Sequence, residues 1–381
     1  MSILVGAGSI GGGKIVMKKW LLLIVSLIII GIGSLIYQSA RTDTNGYLEL
    51  AEKFQKMGAD DQELFNLRKA LESSIKENGN VSLETAEIYR KLGNKEKNLT
   101  QAAEDFDKAI LIYEMEDVQK IPDTYYEKGY KLLWGGSKTQ EEALESFYEV
   151  IRLYEENQYE DSNSLCMSYN YIAYLQEDVT DKLTYLKKAE EYFSTLTEQQ
   201  SWEISTTIEL AIGQMLFIQS DYTAALSYYD SLLEKSETIE EEQAWYIYAE
   251  ASHMSGACLT FLNRADEGES RIKKAIEIYS ERDDGSLYYE QAVAHTFLAF
   301  AYANMEPPKQ EEALEAGIDA FSYYKQRDVI TNIDLRSMEE MKIYLQIAYE
   351  KMYPEKESWA FREWFDENCQ VKSRNYQIYT N

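Results

Sequence analysis

The chain has 381 residues, 45% of them hydrophobic, and carries 38 Lys and Arg against 66 Asp and Glu for a formal net charge of −28. This length allows two or three ordinary domains or one long repeat array, and so acidic a chain repels nucleic acid and anionic lipid headgroups at long range. Its three cysteines, Cys166, Cys258 and Cys369, lie far apart with no C-x-x-C pair, which gives no sign of a disulfide framework.

Residues 3–14, ILVGAGSIGGGK, fit the dinucleotide fingerprint G-x-G-x-x-G at Gly6, Gly8 and Gly11, and nearly fit a phosphate loop from Gly8 to Lys14. A dinucleotide site needs such glycines between a strand and a helix, with an acid about 20 residues on for the ribose. Here they run into Lys18, Lys19 and an apolar stretch, and no acid precedes Asp43. The triphosphate pattern fails at Ile15, where a Ser or Thr hydroxyl would hold magnesium. No nucleotide site is expected, and residues 1–16 are read as a flexible cytoplasmic tail or an over-extended start ahead of Met17.

Residues 20–40, WLLLIVSLIIIGIGSLIYQSA, contain no charge over 21 positions. At 1.5 Å per residue, a helix of that length covers about 30 Å, the hydrocarbon thickness of a bilayer. Trp20 and Tyr37 bracket it as interfacial aromatics do. A cleavable signal peptide would have an apolar core of roughly 7–15 residues and a small-x-small end; here the run is longer, and Gln38 stands where a small residue is wanted. The expectation is a transmembrane signal-anchor over 17–40 and a linker over 41–46. Lys14, Lys18 and Lys19 precede the span and Arg41 alone follows closely. The positive-inside rule then places the N-terminus in the cytoplasm and the acidic body outside a cell membrane crossed once.

Residues 47–381 alternate amphipathic helical stretches with short polar breaks, and none reads convincingly as a strand. Pro122, Pro307, Pro308 and Pro354, with Gly58, Gly79, Gly93, Gly135, Gly136 and Gly285, are read as marking the breaks. Regular breaks in a long helical chain call for a search for repeats. The clearest unit is GQMLFIQSDYTAALSYYDSLL, 213–233: Gly213 and Leu216 on one helix, a turn at Ser220-Asp221, then Ala225, Tyr229 and Leu232 on the next. Gly256, Leu259, a turn at Asn263, Gly268, Ile272 and Ala275 repeat it with an offset of 43. A small residue early in each helix lets two antiparallel helices approach closely, while large residues fill the groove beside them.

This pattern resembles the tetratricopeptide repeat, in which small and large residues alternate at fixed positions of a helix pair. Further units follow it with more drift: Ala51, Phe54, Leu67 and Ala70; Ala86, Tyr89, Ala102, Phe106 and Ala109; Gly129, Leu132, Ala143, Phe147 and Val150. Ala173 with Leu186 and Ala189, then Ala299, Tyr302, Ala313 and Ala320, form weaker ones, and Ala348, Ala360 and Trp364 look like a terminal cap. The resemblance implies an all-α fold, a transmembrane helix followed by an α-solenoid of about eight helix pairs over 47–381. The spacing of mostly 39 to 45 residues exceeds the family's, and its proline at the end of the second helix is missing, which leaves the register of units one, four and seven open.

The resemblance also places an inner groove on the first helices. Its positions fall on Tyr126 and Tyr130, on Asn170 and Tyr174, on Gln214 and Phe217, and on His253. A ring-rich, weakly charged groove would bind a protein or peptide partner through flat aromatic contact and a few hydrogen bonds; the alternative is that these rings only pack repeat against repeat. Family members that hold chaperone tails use bases at first-helix positions that are here Leu48, Glu52, Leu83 and Glu87, so an acidic tail is not expected.

His253 and His295 lie 42 apart with Cys258 nearby, but no paired ligand reinforces either, and a metal site needs three or four. The acidic runs at 239–243 and 139–146 fall at helix starts and outer faces, where they favour the dipole and solvent. No catalytic residue, metal or cofactor is expected. The reading is a membrane-anchored, non-catalytic interaction scaffold, attached through residues 20–40. Its alternatives are a cytosol-facing receptor on a membrane and, less favoured, an α/α-toroid hydrolase, which would need long loops bearing a carboxylate pair.

Overall fold

The computed structural model describes residues 43–156, 159, 163–196, 201–239, 244–282, 286–326 and 332–369. Among these there are sixteen α-helices, one 3-10 turn (Val118–Lys120) and no strand. The chain forms two compact units, Met1–Glu160 and Asp161–Asn381. The first holds three helix pairs: α1 (Thr44–Lys56) with α2 (Asp60–Asn78), α3 (Leu83–Lys95) with α4 (Leu99–Glu116), and α5 (Ile121–Leu132) with α6 (Ser137–Glu156). The second begins with α7 (Asn163–Leu175) and α8 (Val179–Thr195), α9 (Trp202–Ile218) and α10 (Tyr222–Thr238), and α11 (Ala244–Phe261) and α12 (Ala265–Arg282). It continues with α13 (Tyr288–Asn304) and α14 (Gln310–Gln326), then α15 (Asn332–Met352) and α16 (Ser358–Asn368).

Each helix packs on the next within its unit, and first helices of successive pairs also touch: α3 with α5, α7 with α9, α9 with α11, α11 with α13, and α13 with α15. First helices therefore share a layer, which is what brings residues from consecutive repeats onto one surface.

Local chemistry sets the helix ends. The side chains of Asp43, Ser82, Asn98, Asp178 and Asp221 each accept a first-turn backbone N–H, the last from Ala224 at 3.1 Å. Asp43 starts α1 at Thr44, inside the stretch expected to be linker. One turn closes three of the first helices. Gly58, Ser220 and Asn263 have φ of 65°, 63° and 61°. The next residue's N–H reaches back five positions, from Ala59 to Phe54 O, Asp221 to Leu216 O and Arg264 to Leu259 O. This is a Schellman-type stop, and glycine is its least strained occupant. Ser220 and Asn263 are the two turn residues expected from the sequence.

The small residues lie where helices cross. A Cβ on Gly213 would stand 2.9 Å from the Tyr229 ring, and one on Gly129 2.7 Å from Phe147. Gly256 and Gly268 face each other, each placing a Cβ within 2.7 Å of the other's carbonyl oxygen. Gly93 departs from expectation: it lies inside α3, and its bare Cα admits the Phe106 ring, 2.8 Å from where a Cβ would sit.

The membrane reading is corrected. Among the described residues no helix is long and apolar enough to cross a membrane. The most apolar helices, α9 and α11, have 17 and 18 residues and carry Glu203 and Glu209, or Glu250, so their apolar faces serve a protein interior. The tail, the 17–40 stretch and the start of the linker lie outside the described residues. The fold class is therefore an all-α array of helix pairs with no transmembrane helix assigned, and the single-pass cell-membrane localisation is withdrawn with the span.

Candidate partner-binding pocket

In the second unit, three first helices turn one face each toward a common pocket of about 420 Å³. From α9 come Gln214, Met215, Phe217 and Ile218; from α11, Tyr246, Glu250 and His253, with Met254 beside it; from α13, Tyr289, Glu290, Val293, Thr296 and Phe297. Tyr246, Glu250 and His253 are spaced four and three apart, the interval that keeps side chains on one helix face. Tyr324 of α14 closes one side.

Two hydrogen-bonded groups border the pocket, one of them reaching Tyr279 behind its wall. The Tyr246 hydroxyl donates to Glu290 Oε1 at 3.3 Å, and the Tyr279 hydroxyl to Glu250 Oε2 at 3.1 Å. His253 Nδ1 lies 3.2 Å from the Tyr279 hydroxyl oxygen, and the imidazole stacks on Phe297 with centroids 6.3 Å apart. Burial first, then the charge on Glu250, pushes both Tyr246 and Tyr279 well above the usual phenol range, so they stay protonated donors. Among the pocket's buried side-chain atoms, Glu290 Oε2 and His253 Nε2 have no hydrogen-bond partner from the protein. No Lys or Arg is among the lining residues.

The structure brings Gln214, Phe217 and His253 of the expected groove together here. His253 is only 1% exposed. Phe217 is half-buried and meets Tyr222, Phe261 and Phe297 edge-on at 5.3, 5.6 and 5.6 Å, so it serves packing as well as the pocket wall. Asn170 and Tyr174 sit on α7 and do not line this pocket; Tyr174 is 55% exposed. Tyr126 and Tyr130 belong to α5 in the first unit, stacked on one another at 6.4 Å, with Tyr130 45% exposed. Sequence reasoning passed over Tyr246, Glu250, Tyr289 and Glu290. Stepping back one and two turns from His253 along α11 would have reached the first two.

A second pocket of about 410 Å³ lies among α1, α2 and α3 of the first unit. Leu48 and Glu52 line it, but so do Lys56, Lys91 and Lys95, and Lys95 pairs with Glu63 at 3.1 Å. The expectation that this face lacks bases is corrected: Lys56 and Lys91 stand one turn beyond Glu52 and Glu87. Elsewhere on the first unit's first helices charges are mutually paired. Arg90 bridges Glu87 at 3.0 Å and Glu127 at 2.7 Å, and Lys128 bridges Asp107 at 2.8 Å and Glu142 at 2.9 Å.

Other reactive groups are packed away. Cys166, Cys258 and Cys369 are free and buried, and burial pushes each thiol up to about 12. His295 lies beside Tyr323 and Asp319, its Nδ1 buried without a hydrogen bond, and burial holds it below its ordinary 6.5. Among the described residues no group of three or more His, Cys, Asp or Glu is placed to hold a metal ion.

No protein-family model matches the chain, and no curated protein matches it. Among solved structures it is similar to a signal-transduction ATPase with numerous domains and a tetratricopeptide repeat sensor from Pyrococcus horikoshii: 16% identity, 86% of this chain, TM-score 0.45. The chain spans about half of that protein, 54% of its length. It is also similar to the tetratricopeptide repeat domain of P58(IPK), at 14% identity over 94% of this chain and 99% of that one, with a TM-score of 0.24.

Proposed function

We propose that the chain is a non-catalytic, tetratricopeptide-like interaction scaffold whose first-helix layer receives a peptide or helix of a protein partner. The observation that supports this most is the assembly of Gln214, Phe217 and His253 with α13 residues in one aromatic-walled pocket, drawn from three consecutive repeats. Such a surface suits an extended or helical segment, since each repeat adds contacts in register with the next. Tyr126 and Tyr130, and Asn170 and Tyr174, are further contact positions in this reading. Both pocket carboxylates already accept a tyrosine hydroxyl, which makes them fixed acceptors rather than free proton-transfer groups. The acidic composition disfavours nucleic acid as the partner.

The test is affinity for a co-purified protein partner, measured with Tyr130→Ala, Tyr174→Ala and Phe217→Ala. Loss of a ring that anchors a partner costs ~2 kcal/mol, roughly thirtyfold in affinity. If all three variants bind as the parent chain does, the first-helix layer is not the binding face.

A further inference from the structure

We infer that the pocket among α9, α11 and α13 seats a basic side chain of the partner, an arginine guanidinium or lysine ammonium held by Glu250 and Glu290 against the surrounding rings. The inference rests on the peptide-binding reading above and adds the chemistry of the anchoring residue.

The pocket's carboxylates point to a ligand that donates. The single hydrogen of the Tyr279 hydroxyl goes to Glu250. His253 Nδ1 lies 3.2 Å from the same oxygen and 3.7 Å from Glu250 Oε2, so the imidazole joins Tyr279 in bordering that carboxylate. Glu290 has one oxygen occupied by Tyr246 and the other buried without a partner. Glu290 Oε2 is thus a buried acceptor without a protein donor, in a pocket that opens to solvent beside the exposed Ile218. Buried acceptors without donors are costly and uncommon in native structures. A guanidinium brings five N–H donors, an ammonium three, and neither brings an acceptor that would need an answer.

Charge and shape agree. The lining residues include two carboxylates and no Lys or Arg, so a cation meets opposite charge and no competitor. Tyr246, Tyr289 and Phe297 stand in the same wall, and aromatic rings near a cation add attraction to that of the carboxylates. A net charge of −28 draws a basic segment from a distance. About 420 Å³ is room for one long side chain, with the first-helix layer left to receive the backbone that carries it. An acidic anchor would face two carboxylates, and an apolar one would leave Glu290 Oε2 without a donor.

The purified full-length chain is applied to an array of random dodecamer peptides. Bound peptides should share one Arg or Lys position, and replacing that residue with citrulline or norleucine should weaken binding at least tenfold. Glu290→Gln and Glu250→Gln should weaken the same peptides at least tenfold, while Glu315→Gln, an exposed acid outside the pocket, stays within twofold. The citrulline arm needs no protein variant and keeps the test valid if one misfolds. N-acetyl-arginine amide should compete only at far higher concentration; if it binds as tightly as the peptides, the occupant is a free small cation and the partner-segment inference fails. Acidic or apolar peptides that bind and are lost with Phe217→Ala overturn the cation while keeping the interaction function. Basic peptides insensitive to both Gln variants, or no selected peptide at all, overturn it as well.

Discussion

In the first unit Arg90 lies between Glu87 and Glu127, and Lys128 between Asp107 and Glu142. In the second, Glu250 and Glu290 line a pocket with no base in its walls, and one carboxylate oxygen and one imidazole nitrogen are left unanswered. Both faces are built from first helices of the same kind of hairpin, so backbone architecture does not explain the difference. Around Arg90 and Lys128 each carboxylate meets a base, whereas Glu250 and Glu290 accept from tyrosine hydroxyls and no Lys or Arg lines their pocket. In an array of helix pairs, then, a binding region is better sought where pocket carboxylates lack a base than where the repeat motif is strongest.

The comparison can be broken most severely where two helix backbones meet at paired glycines. Gly256→Leu would drive a side chain into Ile272 and the Gly268 carbonyl, where backbone on both sides cannot yield. A loss of about 3 kcal/mol or more is expected, read as a lower thermal midpoint by circular dichroism. A midpoint unchanged from the parent would mean the crossing is looser than described.

Phe217→Ala and Tyr130→Ala separate packing rings from exposed ones. Phe217 is half-buried among three rings, so its removal should cost about 2 kcal/mol of stability, less than a fully buried Phe. The exposed Tyr130 should cost within about 0.5 kcal/mol. Denaturant midpoints of the two variants give both numbers, and equal losses would erase the distinction.

Charge removal should then act oppositely in the two units. Arg90→Ala leaves Glu127, about a quarter exposed, to Asn94 alone and should cost roughly 1–2 kcal/mol after allowing for solvent screening. Glu290→Gln keeps an acceptor for Tyr246 and removes an under-partnered carboxylate, so stability should stay within about 0.5 kcal/mol or rise. Parallel urea titrations decide it; a clear loss in Glu290→Gln would show that this charge is structural.

The smallest effect concerns acid. His295 is held below 6.5 by burial, with Asp319 opposing, so the unfolded chain binds its proton more readily than the folded one. Stability from this group is therefore complete above 6.5 and declines as pH falls from there toward the folded value, by about 1 kcal/mol or less. Melting temperatures of the parent and His295→Gln between pH 7 and 5 should converge on acidification. Parallel curves would assign the acid sensitivity elsewhere.

The helix crossings were legible because spacing along a helix fixes which residues meet: Gly213 with Tyr229 and Gly256 with Ile272 follow from small and large residues recurring at one interval. Gly93 was misread because a glycine that ends a helix and one that admits a neighbouring ring look alike in one dimension. Of the pocket, Gln214, Phe217 and His253 could be reached through repeat register. Glu250 lies one turn from His253 and was within reach, but Glu290 was not, because an acid on an isolated helix reads as a solvated face until the adjoining helices cover it. Lys56 and Lys91 escaped by a single turn, the distance over which a register carried from another family drifts. The apolar 20–40 run prompted a membrane span that the described helices do not supply.

All three thiols belong to the second unit, and the sequence of the first contains none. Because each is buried and poorly ionised, alkylation has to wait for the surrounding helices to part. The unaltered chain thus carries a built-in clock. The rate at which a thiol reagent consumes Cys166, Cys258 and Cys369 reports how often the pocket-bearing half breathes, with the other half chemically silent, and a bound partner that clamps those helices should slow it.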